Sequence, residues 1–99
     1  MHVVIFRAKT RALDAEYSRT AARMRELALT QFGCLAFHAV TQGEDEIALS
    51  YWPSEEAIRA WKAHPEHALA QQAGRQRWYA DYSVEVAEVK RGYAMKNCP

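Results

Sequence analysis

The hydrophobic positions of the chain follow two periods, alternation at every second residue and recurrence at every third or fourth. Residues 2–9 are rich in Val, Ile and Phe and predict a first strand that is apolar on both faces. Residues 14–30 carry apolar side chains at helical spacing, and Asp14 is a suitable N-cap, so a first helix is predicted there. Gly33 is expected to end the helix.

The second half of the chain repeats both patterns. Residues 34–41 and 46–52 alternate around a turn at 42–45 and predict a hairpin. Ser54 is expected to cap a helix that ends near Ala63, and Pro65 to begin a further helix that reaches Ala80, with a kink near His64. Residues 81–93 predict a long final strand with a bulge or twist around Ala87.

The resulting order, β-α-β-β-α-α-β, predicts an α+β fold of the ferredoxin-like type, with helices on one face of an antiparallel sheet. The other sheet face would be bare. Because the first strand is apolar on both faces, that bare face would be a large exposed hydrophobic patch in a monomer. We therefore expect a homodimer that forms through the sheet face.

Length and composition narrow the function classes. The 99 residues are one domain, 1–99, with 94–99 expected as a C-terminal tail. A formal charge of +1, with basic residues spread along the chain, gives no indication of nucleic-acid binding. No apolar run approaches the roughly 20 residues of a membrane span, and no signal peptide is visible. Cys34 and Cys98 are expected to be reduced thiols of a cytoplasmic protein, Cys34 as a small core residue.

The most informative stretch lies between residues 50 and 82. It combines a strand that ends in Trp52, a helix start Ser-Glu-Glu-Ala at 54–57, Trp61 on that helix and a histidine-rich helical piece after it. In these features and in its element order, the chain resembles the antibiotic biosynthesis monooxygenase family, whose members pair their sheets into a dimeric α/β barrel. The resemblance covers nearly the whole chain. The family includes oxygenases, haem-degrading proteins and members of undefined role.

The resemblance implies a ligand pocket in each protomer, between the helices and the sheet and lined by aromatic side chains. Trp61 matches the tryptophan that the family's enzymes place against their substrate. On its spacing alone, Trp61 also fits an ordinary core stripe with Ile58, and a large aromatic side chain can serve both roles.

The helix that begins at Pro65 places a polar and aromatic face beside this pocket. A histidine such as His67 can accept a proton from a phenolic substrate, the step that a cofactor-free oxygenase needs before dioxygen reacts. Arg75, next to that face, can stabilise an oxyanion or a peroxide. His67 and Arg75 are therefore the candidate catalytic residues. The candidate substrate-binding residues are Trp61, His64, Gln71, Trp78 and Tyr82.

A plainer interpretation of the same residues stays open. The histidines can be surface or capping residues, and Arg75 with its neighbours can be a solvated helix face or an interface rim. A metal site is not expected, because two histidines lack a third ligand at an evident spacing.

Two positions depart from the family's best-understood branches. Gln71 stands where haem-degrading members keep an iron-binding histidine, and Ala57 where enzymes acting on aromatic polyketides keep an asparagine. The sequence thus predicts a cofactor-independent monooxygenase acting on a small aromatic or quinone-like compound, with no cofactor. The alternative is a non-catalytic dimeric barrel that binds a small ligand or serves in stress, and haem degradation is a third hypothesis. A pocket filled by side chains would favour the non-catalytic alternative.

Overall fold

A computed structural model describes residues 1–96, so Cys98 and the end of the expected tail lie outside the described residues. The order β-α-β-β-α-α-β and the α+β class are confirmed. The elements are β1 His2–Thr10, α1 Ala15–Gln31, β2 Ala36–Gln42, β3 Asp45–Trp52, α2 Glu55–Ala63, α3 Pro65–Ala73, a π-helical turn Gly74–Trp78, and β4 Tyr79–Glu88.

Local signals set the starts of α1 and α2 and the end of α1 where the sequence predicted them. The Asp14 carboxylate accepts a hydrogen bond from the Tyr17 N–H at 2.8 Å, and the Ser54 hydroxyl accepts one from the Ala57 N–H at 3.2 Å. Both bonds satisfy an amide that the first helical turn leaves without a carbonyl partner. After α1, Gly33 takes a φ of 76°, a left-handed conformation that side chains disfavour. These local rules explain why the caps could be predicted.

The end of the third helix and the position of the bulge were predicted wrongly. The α-helix stops at Ala73, and the chain continues through the π-helical turn into a strand that begins at Tyr79, not after Ala80. The register of β1 against β4 shifts between Lys9 and Thr10, so the irregularity lies near Ala80 and not at Ala87. The strand also ends at residue 88, earlier than the expected 93.

The sheet has the strand order β2-β3-β1-β4, and every pairing is antiparallel. The register sets which side chains share a face. Val4 lies opposite Ser50 on one side and Val86 on the other, so these three residues point toward the helices. The core between this inner face and the helices consists of Val4, Met24, Leu27, Ala28, Cys34, Trp52, Ile58 and Trp61.

The opposite, outer face of the sheet carries apolar side chains without a helix over them. Val40 is 68% exposed and Ile47 is 40% exposed, and the two are paired across β2 and β3. Salt bridges from Arg7 to Glu85 at 2.8 Å and from Lys9 to Asp45 at 2.7 Å lie on the same face. The remaining apolar and aromatic members of this face are Val3, Ile5, Ala36, Leu49, Tyr51 and Ala87. No helix within residues 1–96 is both long and apolar enough to cross a membrane.

We predict that the outer face is a dimer interface. Ile47→Asp would place a carboxylate between Val40 and Arg7, and because Arg7 is already held by Glu85, pairing of the two sheets would have to take the added charge out of water at a cost of several kcal/mol. At micromolar concentration, the wild type should sediment as a dimer and Ile47→Asp as a monomer. Leu69→Asp adds the same charge at an exposed position on α3 and should leave the dimer intact. A monomeric wild type would contradict the prediction.

Candidate functional site

A cavity of about 190 Å³ lies between the inner face of the sheet and the helices. All four strands and all three helices contribute to its lining, which is mainly apolar and aromatic. Five of the residues singled out from the sequence line it, namely Trp61, His67, Gln71, Trp78 and Tyr82. His64 and Arg75 do not belong to the lining. The cavity has two ends, one formed around Trp61 and His67 and the other around Trp78.

Trp61 serves both the core and the cavity wall. Its indole N–H donates to the Met24 carbonyl at 3.2 Å, and its ring packs against Trp52 with centroids 5.1 Å apart. The edge-to-face contact with His67, at 4.4 Å, fixes the imidazole beside it. Because the indole N–H is already bonded, Trp61 can offer a ligand only its ring surface.

His67 is held neutral by its surroundings. Burial, with a smaller contribution from the charge of Lys62, lowers the pKa of His67 to about 4. Its Nδ1 is buried and has no hydrogen-bond partner among the described residues. A neutral imidazole can accept a proton from a ligand, although the low pKa makes it a weak base at neutral pH.

Tyr82 forms hydrogen bonds with two other candidate residues, Arg75 and Gln71. Its phenolic oxygen accepts hydrogen bonds from Arg75 Nε at 3.0 Å and from Gln71 Nε2 at 3.4 Å. The bond from the Arg75 guanidinium lowers the pKa of Tyr82. Because both bonds use the oxygen as acceptor, the O–H proton stays available to a ligand. Arg75 thus contacts the cavity through Tyr82.

His64 has a local structural task. Its Nδ1 accepts a hydrogen bond from the Glu66 N–H at 3.1 Å, which makes it the N-cap of α3, and its ring packs edge-on against Phe32. The structure therefore places His64 in the capping role that was left open above, outside the cavity.

Glu46 is a cavity residue that sequence reasoning missed. It is only 6% exposed, and its carboxylate accepts hydrogen bonds from the Tyr79 hydroxyl, at 2.9 Å, and from the Tyr17 hydroxyl. Burial raises the pKa of Glu46. One sequence signal was available, because Glu46 has the same parity along β3 as Ser50 and Trp52, which face the core.

The π-helical turn leads directly into Tyr79, one of the two tyrosines that bond Glu46. A Cβ atom at Gly74 would stand 2.9 Å from Cδ2 of the Tyr79 ring, so only glycine lets that ring lie against the turn. Tyr17 packs edge-on against the Trp78 ring, with centroids 5.3 Å apart. Trp78 is 3% exposed, and its indole N–H is buried with no acceptor among the described residues.

Within the described part of the chain, no three His, Cys, Asp or Glu side chains are grouped so that they could hold a metal ion. Gln71, at the position of the iron-binding histidine of haem-degrading members, uses its amide to bond Tyr82.

A ferredoxin-like sheet with an aromatic-lined cavity under its helices defines a class of small α+β ligand-binding proteins and enzymes. The family model of the antibiotic biosynthesis monooxygenases matches residues 1–73, and the chain belongs to that family. It is 41% identical over 91 residues to YqjZ, an uncharacterised protein of Bacillus subtilis strain 168, covering 91% of this chain and 80% of that one.

Solved structures share the fold at low identity. SnoaB of Streptomyces nogalater, a cofactor-independent oxygenase, superposes with a TM-score of 0.77 at 15% identity over 92% of this chain and 94% of its own. Rv0793 of Mycobacterium tuberculosis gives a TM-score of 0.78 at 14% identity over 94% of this chain and 98% of its own.

The buried His67 predicts a pH dependence of stability. Below its ordinary value of 6.5 the unfolded chain takes up a proton, whereas the folded chain does so only near pH 4. The stabilising contribution is therefore complete above about pH 6.5 and is lost as the pH falls toward 4. We expect the free energy of unfolding of His67→Gln, measured in urea, to fall less steeply than that of the wild type across this window.

Leu69→Gln, at a 66% exposed position on α3, is the matched control and should keep the wild-type slope. Equal slopes for the wild type and His67→Gln would show that His67 is not held neutral.

Proposed function

We propose that this protein is a cofactor-independent monooxygenase acting on a small aromatic or quinone-like compound. The observation that carries the proposal is the open cavity with an aromatic wall and the neutral His67 in its lining. Membership of the monooxygenase family and the fold shared with SnoaB, itself a cofactor-independent oxygenase, support the same reaction class.

The size of the cavity favours a ligand of one or two rings. An apolar cavity on the order of 150 Å³ holds benzene, whereas pockets for drug-sized ligands measure roughly 300–1,000 Å³. The 190 Å³ found here lies close to the lower figure. A single or fused pair of rings fits this volume, and a four-ring compound would require the helices to move apart.

In the proposed reaction, His67 accepts a proton from the bound substrate, leaving an electron-rich anion that reacts with dioxygen. Dioxygen adds to a ring carbon that carries hydrogen, and the proton held by His67 returns to give a hydroperoxide. The hydroperoxide then loses water with that hydrogen, so one oxygen atom stays as a carbonyl, the other leaves as water, and the substrate itself supplies the electrons. Tyr82, polarised by Arg75, donates a hydrogen bond to the developing oxyanion. Trp61 supplies the ring surface, while Trp78 and Gln71 complete the wall.

The proposal includes a homodimer through the outer sheet face and a cytoplasmic location. The dimer is supported by the exposure of Val40 and Ile47. The location is supported by Cys34, which lies in the core as a free thiol whose pKa is raised by burial.

A non-catalytic ligand-binding barrel is the second candidate function. One observation favours it: the low pKa of His67, which weakens the imidazole as a base at neutral pH. The open cavity supports ligand binding under either proposal. A measurement of turnover therefore distinguishes the monooxygenase from the non-catalytic binding protein.

We predict oxygen consumption with hydroxylated naphthols, which have two fused rings, as substrates. His67→Ala should lower kcat/KM by about 100-fold, the usual contribution of a positioned base. Because the pKa of His67 is about 4, the wild-type kcat/KM should rise through that pH and stay level toward neutrality.

Leu69→Ala, at an exposed position on α3 outside the cavity lining, is the control and should retain wild-type turnover. A wild type that consumes no oxygen with any of these compounds would rule out the monooxygenase in favour of the binding protein.

A further inference from the structure

We infer that the end of the cavity formed by Glu46, Trp78, Tyr17 and Tyr79 is a hydroxyl-binding site, in which Glu46 accepts the ligand's O–H and the Trp78 indole N–H donates to its oxygen. The inference rests on the proposed function only in taking the ligand to be a small aromatic molecule. We call these four residues the Glu46 end.

The Glu46 carboxylate can accept more hydrogen bonds than Tyr17 and Tyr79 donate to it. Its two carboxylate oxygens offer about four acceptor positions, and Tyr17 and Tyr79 each use one, on different oxygens. No Lys or Arg forms a salt bridge with Glu46 among the described residues. A buried carboxylate without a cation gains from every further hydrogen-bond donor that reaches it. The cavity that it lines is where such a donor would enter.

Trp78 supplies the complementary group. Its indole N–H is a donor only, and in the core it normally finds an acceptor. Here the N–H is buried and has no acceptor among the described residues, although Trp78 lines the cavity. Tyr17 contacts the Trp78 ring and also bonds Glu46, which places both groups at the same end.

Together, an acceptor and a donor identify the chemistry of the ligand. A hydroxyl group both donates and accepts, so one hydroxyl satisfies Glu46 and Trp78 at once. An ether offers only an acceptor and would leave Glu46 without the extra donor. A carboxylate would repel Glu46, and an ammonium has no lone pair for the Trp78 N–H. The Glu46 end therefore selects a neutral aromatic hydroxyl.

The experiment compares the binding of three probes under nitrogen, where no turnover occurs, by equilibrium dialysis at pH 7. The probes are 1-naphthol, 1-methoxynaphthalene and the cation 1-naphthylmethylamine. Since hydrogen bonds to charged groups are the stronger ones, the wild type should bind 1-naphthol about tenfold more tightly than 1-methoxynaphthalene. It should bind the cation more weakly than 1-naphthol.

Two variants separate the roles of the two groups. Glu46→Gln keeps the shape but replaces the charged acceptor, so the preference for 1-naphthol over its methyl ether should fall several-fold. Trp78→Phe removes the indole N–H, which can donate to the oxygen of 1-naphthol and equally to the oxygen of its methyl ether. The affinities of both probes should therefore fall together, and the ratio of the two affinities should stay unchanged. Glu44→Gln, an exposed carboxylate in the neighbouring turn, is the matched control and should change neither value. Circular dichroism checks that each variant is folded.

Equal binding of 1-naphthol and its methyl ether would overturn the inference, as would tighter binding of the cation, no binding of any probe, or an unchanged ratio in folded Glu46→Gln. The proposed monooxygenase function would be contradicted by a different result, the absence of oxygen consumption. A hydroxyl preference without oxygen consumption would keep the Glu46 end and remove the monooxygenase, and turnover without the preference would do the reverse.

Discussion

The hydrogen bond from the Trp61 indole N–H to the Met24 carbonyl joins α2 to α1 above the sheet. At 3.2 Å and buried, it holds two helices that meet the sheet through different residues. Trp52 on β3 packs under the same indole, so Trp61 is fixed from below and from the side. An aromatic side chain held in this way separates the helices from the inner face, and the cavity is the space that remains. Its volume and the position of His67 both depend on this arrangement.

The two ends of the cavity differ in kind because different neighbours surround them. At the first end, His67 is pressed against Trp61, and burial keeps the imidazole neutral. At the second, Glu46 is buried with tyrosine hydroxyls and forms no salt bridge with a Lys or Arg of residues 1–96. The apolar wall between the two polar ends lowers the local dielectric and so strengthens a hydrogen bond made at either end. A ligand that spans the cavity is therefore oriented by its polar atoms, and its rings contribute mainly area.

The part of the structure that could be predicted depends on short-range chemistry. The caps at Asp14 and Ser54 follow from residue type and position, and the element order follows from the two hydrophobic periods. The end of α3 could not be predicted, because the π-helical turn, in which the Tyr79 N–H bonds the Gly74 carbonyl, leaves no mark in the hydrophobic spacing. The helical pattern continues in the sequence through this turn, and only the close approach of the Tyr79 ring to Gly74 distinguishes it.

Some residues of the candidate site could be predicted from local spacing, and others could not. The helical spacing of His67, Gln71 and Trp78 predicted a shared face, and all three do line the cavity. Glu46 escaped notice because it follows Glu44 and Asp45 in an acidic turn, although its parity with Ser50 along β3 agrees with its pairing to Ala8 on the buried side of β1. The low pKa of His67 is caused by burial, and the extent of that burial could not be predicted from the sequence.

The distribution of polar groups also explains how this cavity can lack the side chains that two branches of the family keep on α2 and α3. Ala57 offers no amide, and Gln71 spends its amide on Tyr82. The strands carry the polar groups instead, with Glu46 on β3 and Tyr82 on β4. Glu46 lies on β3, which is paired on both sides, and Tyr82 on the edge strand β4, which is paired with β1, so ladder hydrogen bonds hold the backbone of both residues in a fixed geometry. Ligand orientation in this protein is thus a property of the sheet, and the helices contribute the ring surface and the base.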